Sequence, residues 1–341
     1  MKPSYFIKEW KYHTKISSKK RVFVKFLLTR TPISKLVNTS LYNKIYSGIV
    51  SKKTKTIEPI FLQIETTNVC NGKCLMCPHK NMKRKPKVMN QKNFEKIVDN
   101  VLSSYKIKRI TLSGFGEPLA DLGLIEKIKF LNKKYPNVKI DFFTNGSMLT
   151  EKKAGELLKL KIEKIVFSIN GTENNYNKVT GMDYKRTKRN IDNFLKLREK
   201  MRRKDILVNM SLMILDQNKN ELDKFYKTWE NKADSVMMYP PSSTWAGKIK
   251  IPKLLRISKN WPCRPLWRNI TVDVDGNVLK CWKDIESEQK FGNLLKQNIK
   301  EIYLSENFNI LRQEHLKNKF NPPLCNNCDQ SIDSSIDWWT F

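Results

Sequence analysis

Short apolar runs alternate with longer amphipathic stretches between Pro59 and Tyr239. The short runs end in turn or polar residues, which is typical of buried strands, and the longer stretches space apolar residues three and four positions apart, as helices do. This pattern predicts six strands, at 60–65, 109–113, 139–144, 164–169, 207–214 and 235–239. It predicts five helices, near 90–105, 123–134, 150–160, 184–204 and 217–231.

Repeated strand–helix units favour an α/β fold in which parallel strands are joined by right-handed crossovers. Six units are too few to close an eight-stranded barrel, so we expect an open, partial (β/α)6 barrel. In folds of this kind the active groups lie at the carboxyl ends of the strands. The loops that follow the strands are therefore where we expect the functional residues.

The pattern changes on both sides of this region. Residues 1–57 are basic with scattered apolar residues and predict an amphipathic helical extension, which either packs on the barrel or lies against a membrane surface. We assign the barrel to 58–242, a linker to 243–262 and a tail to 331–341. Between them, residues 263–330 predict a small second domain with a β-hairpin, turning at Asp275-Gly276, and a helix around 299–317.

The composition is that of a globular protein with a hydrophobic core. Of the 341 residues, 40% are hydrophobic, and no apolar run approaches the ~20 residues that a membrane-spanning helix needs. The beginning of the chain also lacks the pattern of a secretory signal, so we expect a cytoplasmic protein. Seven cysteines fall into a group of three and a group of four, which favours metal binding over disulfide bonds.

The formal net charge is +32, from 65 basic and 33 acidic residues. A surface of this kind attracts anionic partners, among them nucleic acid, anionic lipids, phosphorylated substrates and acidic electron-transfer proteins. The basic residues are spread along the chain, so the charge does not choose among these partners. The bias of an AT-rich genome toward lysine is an equally simple explanation of the composition.

The first group of cysteines follows the first predicted strand. Cys70, Cys74 and Cys77 have the spacing Cys-x-x-x-Cys-x-x-Cys. Three thiolates on one loop hold three corners of a cubane iron–sulfur cluster and leave the fourth iron open. A zinc site that also uses His79 is the alternative, because zinc accepts thiolate and imidazole ligands. The spacing resembles the cluster loop of the radical S-adenosylmethionine (radical SAM) enzymes, which implies a [4Fe-4S] cluster chelated by S-adenosylmethionine (SAM).

Three more motifs follow the second, third and fourth predicted strands. They read Ser113-Gly114-Phe115-Gly116-Glu117-Pro118, Thr144-Asn145-Gly146 and Ser168-Ile169-Asn170-Gly171. Glycines at such positions let a backbone approach a ligand closely. The four signals in this order resemble the radical SAM superfamily over about 180 residues. The resemblance implies SAM contacts from Gly116, Glu117, Pro118, Asn145 and Ser168.

The chain departs from the superfamily pattern at two positions. Asn170 stands where many relatives have aspartate, which removes a charge at that point. Many relatives also have an arginine shortly before a glycine further on, where this chain has Thr180-Gly181 with Lys178 nearby. Whether Lys178 replaces the arginine as a contact of the SAM carboxylate is left open by the sequence.

The second group of cysteines is a complete ligand set. Cys263, Cys281, Cys325 and Cys328 suit either one zinc ion or one iron–sulfur cluster. Their arrangement around Gly276 resembles the SPASM extension of radical SAM enzymes in its shortened "twitch" form. The resemblance implies a second, auxiliary [4Fe-4S] cluster with four protein ligands, whose natural role is electron transfer.

Together these resemblances imply an oxidoreductase that cleaves SAM reductively and abstracts hydrogen from a carbon atom. We expect the substrate to be a sugar-like or polyol metabolite, or else a peptide, and the electron donor to be an acidic protein such as a flavodoxin or ferredoxin. Two alternatives are an RNA-modifying radical SAM enzyme and a non-enzymatic protein that binds zinc or nucleic acid. The charge favours the RNA alternative, although the sequence has no recognisable RNA-binding motif.

Overall fold

The computed structural model describes residues 40–239, 262–320, 323–326 and 328. It contains one sheet, whose strands are β1 (Phe61–Ile64), β2 (Arg109–Thr111), β3 (Lys139–Thr144), β4 (Lys164–Ser168), β5 (Leu207–Met213), β6 (Ser235–Tyr239), β7 (Asn269–Val272), β8 (Asn277–Leu279) and β9 (Lys290–Asn293). Their order is β6-β5-β4-β3-β2-β1-β7-β8-β9. The six predicted barrel strands are present and pair in parallel, which confirms the predicted α/β fold.

Helices connect the parallel strands. The α-helices of the described residues are α1 (Ser40–Thr54), α2 (Gln91–Ser104), α3 (Leu124–Lys134), α4 (Glu151–Leu158), α5 (Tyr176–Thr180), α6 (Tyr184–Lys200), α7 (Leu222–Trp229), α8 (Pro265–Arg268), α9 (Ile299–Tyr303), α10 (Glu306–Leu316) and α11 (Pro323–Asn326). Three predicted helices, now α2, α4 and α6, begin at side-chain caps supplied by Asn90, Thr150 and Asp183. Each cap accepts a bond from a backbone N–H of the first turn, which would otherwise lack a partner.

The two faces of the parallel sheet differ in chemistry because successive side chains of a strand point to opposite sides. One face is apolar, and its residues, such as Ile64 and Ile110, are buried in a core shared with the helices. The other face is polar. There Asp141 binds the side chains of Arg109 at 2.6 Å and Lys164 at 3.4 Å. Since the helices cover the apolar face, the polar face is the inner surface of the partial barrel.

The second domain extends the barrel sheet. Strand β7 pairs in parallel with β1, and β7, β8 and β9 form an antiparallel meander beyond it. The predicted hairpin turn is confirmed: Gly276 has φ +84°, a conformation that favours glycine, and the Asp273 carboxylate accepts bonds from the N–H groups of Asp275 and Asn277. The pairing with β1 and the third strand were not predicted.

The helix predicted around 299–317 is divided into α9 and α10. Ser305 lies between them, and its hydroxyl accepts a bond from the Phe308 N–H, so it caps the second helix. The side chain of Arg312 on α10 packs over the rings of Tyr303 and Phe308. The contact with Tyr303 holds α10 against α9 and so positions its last turn.

The N-terminal extension is described only from residue 40. Helix α1 occupies the end of it, and the Thr54 carbonyl accepts a bond from the Trp267 ring nitrogen at 3.2 Å. The rest of the predicted amphipathic extension, the linker and the tail lie outside the described residues. Among the helices that the structure describes, none is both long and apolar enough to cross a bilayer.

Candidate metal centres and cofactor loops

The barrel thiols lie together on the loop after β1. Burial raises the pKa of Cys70 to about 11, with a further contribution from the charges of Glu117 and Cys77. Burial also raises the pKa of Cys74 to about 12, and the charges of Cys77 and Cys70 add to it. Backbone N–H groups of Gly72 and His79 act in the opposite direction on Cys70 and Cys77.

Three half-buried thiols that oppose each other's ionisation need a cation to become thiolates together. A cluster iron supplies that charge, and thiolate is the ligand that iron–sulfur clusters use. Within the described part of the chain, no three His, Cys, Asp or Glu side chains are arranged to hold a single metal ion. The fit of Cys70, Cys74 and Cys77 to a cluster rests on the chemistry of their thiols.

His79 was the possible fourth ligand of a zinc site. Its Nε2 lies 2.8 Å from the carbonyl oxygen of Asn68, a distance at which a protonated Nε2 donates a hydrogen bond. A nitrogen that carries this proton is not a metal ligand. The contact argues against zinc binding through Nε2 and supports a site of three thiols.

The cysteine loop is held by the segment that follows β4. The backbone N–H of Lys73 donates to the Thr180 carbonyl, and that of Leu75 donates to the Val179 carbonyl, both at 2.8 Å. Gly181 has φ +71°, and a Cβ there would lie 3.0 Å from the Cβ of Lys73. The Thr180-Gly181 pair thus supports the loop through its backbone.

The Gly-Glu-Pro loop after β2 packs directly on the same region. A Cβ on Gly116 would lie 2.2 Å from the carbonyl oxygen of Thr67, so this position has no room for a side chain. The backbone N–H of Glu117 donates to the Val69 carbonyl at 2.8 Å. These contacts fix the motif of Gly116, Glu117 and Pro118 against the residues that precede Cys70.

The Glu117 carboxylate is turned into the protein. It accepts hydrogen bonds from the N–H of Leu119 and of Asn145 and from the Thr144 hydroxyl. Burial raises the pKa of this carboxyl, and the hydrogen bonds of Asn145, Thr144 and Leu119 oppose the shift. The side chain therefore joins the second and third motifs, and the contacts of Gly116, Glu117 and Pro118 with SAM stay a prediction.

Asn145 links the third motif to the cysteine loop. Its amide nitrogen donates to the Asn71 side-chain oxygen at 3.0 Å, and the Asn71 amide donates to the Ser147 hydroxyl at 2.8 Å. Ser168 lies elsewhere on the same edge, with its hydroxyl 3.5 Å from that of Ser211 on β5. The structure thus brings Asn145 to the thiol loop and places Ser168 at the end of β4, whereas Lys178 is exposed on α5. Their contacts with SAM remain predictions.

The auxiliary thiols converge from three separate segments. Burial raises the pKa of Cys263 well above its usual range, and the charges of Cys325, Cys328 and Cys281 raise it further. Burial likewise raises the pKa of Cys281 to about 12. Four thiols near enough for their charges to affect one another are the number of protein ligands that one cluster takes.

Sequence reasoning missed two residues beside this site. His315, on α10, has its Nε2 3.4 Å from the Cys325 sulfur, and the Lys283 ammonium lies 3.7 Å from the Cys328 sulfur. Neither residue is part of a spacing motif. A polar residue inside an apolar helix face was the only signal that pointed to His315.

Sequence reasoning also missed a buried ion pair of the barrel that is hydrogen-bonded to the second domain. The Arg84 guanidinium binds both oxygens of Glu65, at 2.6 and 2.9 Å. The same carboxylate accepts bonds from the N–H groups of Phe115 and Val274, and Arg84 donates to the Ile285 carbonyl. Glu65 thus connects β1, the Gly-Glu-Pro loop and the second domain.

Two family models match the chain. That of the radical SAM superfamily matches residues 64–228, and that of SPASM, an iron–sulfur cluster-binding domain, matches residues 263–329. The two matches contain all seven cysteines, three in the first and four in the second.

Individual proteins are similar over most of the chain. The S-adenosyl-L-methionine-dependent 2-deoxy-scyllo-inosamine dehydrogenase of Niallia circulans is 22% identical over 278 residues, 79% of this chain and 92% of that protein. The crystal structure of BtrN with AdoMet and 2-DOIA has a TM-score of 0.58 at 21% identity, covering 80% of this chain and 94% of BtrN. Streptococcus suis SuiB, solved with its precursor peptide SuiA, has a TM-score of 0.62 at 14% identity, covering 92% of this chain and 82% of SuiB. These structures establish a common fold.

Proposed function

Because the chain belongs to the radical SAM superfamily and carries a C-terminal SPASM domain, we propose that it oxidises a carbon–hydrogen bond of a polyhydroxylated, sugar-like metabolite. The superfamily uses a [4Fe-4S] cluster and SAM, and SPASM domains bind auxiliary iron–sulfur clusters. When bound, these cofactors supply a 5′-deoxyadenosyl radical that takes a hydrogen atom from the substrate. Cys70, Cys74 and Cys77 would hold the first cluster.

The convergence of four auxiliary thiols carries the assignment to an oxidation. An alcohol that becomes a ketone loses a hydrogen atom, a proton and one further electron. The electron needs an acceptor near the substrate. A site at which Cys263, Cys281, Cys325 and Cys328 fill every protein-ligand position suits electron transfer, because full ligation leaves no iron for the substrate.

The inner face of the barrel supports a polyol as the substrate class. Near the ends of adjacent strands, the hydroxyl of Ser211 donates to the Phe167 carbonyl at 3.3 Å and lies 3.5 Å from that of Ser168. Hydroxyl groups of this kind both donate and accept hydrogen bonds, as the hydroxyls of a polyol do. The similarity to an aminocyclitol dehydrogenase points the same way. A peptide is the second candidate, since SuiB binds one.

Deuterium transfer tests the proposal. The enzyme, reconstituted anaerobically with iron and sulfide, is incubated with SAM, dithionite and ring-deuterated cyclitols, aminocyclitols and hexoses in turn. With one member of the panel we expect deuterium in 5′-deoxyadenosine and a product that has lost one deuterium and one hydrogen atom. Deuterium transfer from a labelled peptide or from RNA, with none from any polyol, would refute the substrate class and select the alternative.

We assign the positive surface to an acidic electron donor such as a flavodoxin or ferredoxin, in a cytoplasm that keeps the thiols reduced. Steering by charge weakens with salt, because the Debye length falls from ~30 Å at 0.01 M to ~8 Å at 0.15 M. Turnover driven by flavodoxin should therefore fall with salt more than turnover driven by dithionite, which needs no docking surface. An equal fall with both reductants would exclude a docking role for the charge.

A further inference from the structure

His315 is placed between two ligand residues of the auxiliary site. Its side chain is buried, with the ring in edge contact with Phe320 at 4.8 Å between centroids. The backbone N–H of Cys263 lies 3.2 Å from Nδ1, and the sulfur of Cys325 lies 3.4 Å from Nε2. Both ring nitrogens therefore contact cysteine ligands.

The Cys263 amide determines the tautomer of His315. An N–H group donates, so Nδ1 accepts and carries no proton. The proton of the neutral ring is then on Nε2, which donates to the Cys325 sulfur. A protonated Nε2 does not bind a metal, so His315 is a hydrogen-bond donor to a ligand and not itself a ligand.

Lys283 provides two more donors. Its backbone N–H donates to the Cys281 sulfur at 3.2 Å, and its ammonium donates to the Cys328 sulfur at 3.7 Å. The side chain is buried, and the ammonium lies 5.6 Å from the centroid of the Trp282 ring. Three of the four ligand sulfurs thus receive a hydrogen bond from His315 or Lys283.

We propose that His315 and Lys283 are positioning residues that raise the reduction potential of the auxiliary cluster by donating to its ligand sulfurs. Reduction adds negative charge to a cluster, and hydrogen bonds and a nearby ammonium stabilise that charge. A higher potential makes the auxiliary site a better acceptor of the substrate's electron. The inference rests on the proposed function in one respect, that the four thiols hold an iron–sulfur cluster.

The reduction potential can be measured without substrate. In a Cys74→Ala background the barrel cluster is absent. A redox titration monitored by electron paramagnetic resonance then reports the auxiliary cluster alone. His315→Leu removes the imidazole donor and Lys283→Met removes the ammonium. We expect each to keep about four irons per chain. We expect each to change the ratio of reduced to oxidised cluster about tenfold at a fixed potential, which is a downward shift of about 59 mV for one electron.

The chain offers matched controls. Lys280 is a second buried lysine of the same hairpin, but its ammonium donates to Gln289 at 2.9 Å, so Lys280→Met should leave the potential unchanged. His79→Leu changes a histidine of the barrel loop and should also leave it unchanged. Lys283→Arg keeps a cationic donor and should retain most of the original potential.

The outcomes test the tuning role of His315 and Lys283 separately from the proposed function. Full iron content with an unchanged potential in both His315→Leu and Lys283→Met would refute the tuning role. Loss of iron in both variants would show that the residues maintain the site and do not tune it. If only His315→Leu loses iron, the reduction potential of Lys283→Met decides whether the hydrogen-bond donors tune the cluster. A shifted potential in an enzyme that transfers deuterium from no polyol would leave the tuning intact and refute only the substrate class.

Discussion

The barrel thiols come from one loop, at positions 70, 74 and 77, whereas the auxiliary thiols come from positions 263, 281, 325 and 328. The first set is brought together by local chain geometry and supported by backbone hydrogen bonds to residues 179 and 180. The second set exists only when the meander, α10 and α11 are folded against one another. The first site is therefore a property of a loop and the second a property of a domain.

The atoms around the sulfurs differ in the same way. At the barrel site the backbone N–H of Gly72 donates to Cys70, and the carboxyl group of Glu117 is near enough to raise the pKa of Cys70 and Cys74. At the auxiliary site the donors include the side chains of His315 and Lys283. A cluster surrounded by more positive donors is easier to reduce, so we expect the two sites to differ in potential.

Removal of one barrel thiol should have the largest effect on SAM cleavage. Cys74→Ala leaves two thiols, which do not hold a cubane, so we expect no detectable 5′-deoxyadenosine. The auxiliary cluster should remain, which lowers the iron content from about eight to about four per chain. Iron analysis together with chromatography of the SAM cleavage products checks this. A variant that still cleaved SAM would contradict the assignment of the barrel site.

Removing one auxiliary thiol should uncouple the reaction. In Cys328→Ala the barrel site is intact, so SAM is still cleaved, but the electron has no exit and we expect at least a tenfold loss of oxidised product. The ratio of 5′-deoxyadenosine to product measures the uncoupling. A ratio equal to that of the unchanged enzyme would show that the auxiliary cluster is not needed for turnover.

The same contrast explains what the sequence could and could not predict. Each barrel strand and the first thiol group are encoded in a short, continuous stretch of sequence, so periodicity and spacing were sufficient to find them. His315 and the Cys325 sulfur meet only through tertiary packing. Pairing of β7 with β1 joins residues 61–64 to residues 269–272, and no local pattern specifies such a partner.

The barrel and the second domain also contact each other. We expect the buried pair of Glu65 and Arg84 to contribute most to the stability of this contact. Their side chains are 5% and 11% exposed, so Arg84→Met leaves a buried carboxylate without its partner. We expect a loss of about 3–5 kcal/mol in the free energy of unfolding, measured by chemical denaturation. The double variant Glu65→Leu/Arg84→Met should recover much of it, because no charge is then left buried. A double variant as unstable as the single one would show that the hydrogen bonds to Phe115 and Val274 matter more than the ion pair.

We expect a smaller loss of stability at Gly116, where the loop of the barrel site lies close to the backbone of a neighbouring segment. Gly116→Ala places a methyl group 2.2 Å from the Thr67 carbonyl oxygen, and relief of that contact should cost about 1–3 kcal/mol and weaken SAM binding. Gly155→Ala is the control, since its Cβ would meet Leu197 at 3.9 Å and alanine favours a helix by about 1 kcal/mol. Thermal unfolding and SAM titration of both variants measure the difference. Equal stability of the two variants would contradict the close contact.

The smallest effect should come from an exposed ion pair that crosses between the barrel and the second domain. Lys87 binds Asp275 at the hairpin turn, but the two side chains are 52% and 47% exposed, so water screens their attraction. Lys87→Gln should lower the free energy of unfolding by less than about 1 kcal/mol at low salt. At 1 M salt, where the Debye length is about 3 Å, the difference should disappear. Arg84→Met should keep its large effect under the same conditions, because a buried pair is screened much less. If Lys87→Gln were as destabilising as Arg84→Met, the contact between barrel and second domain would depend on its exposed rim and not on its buried centre.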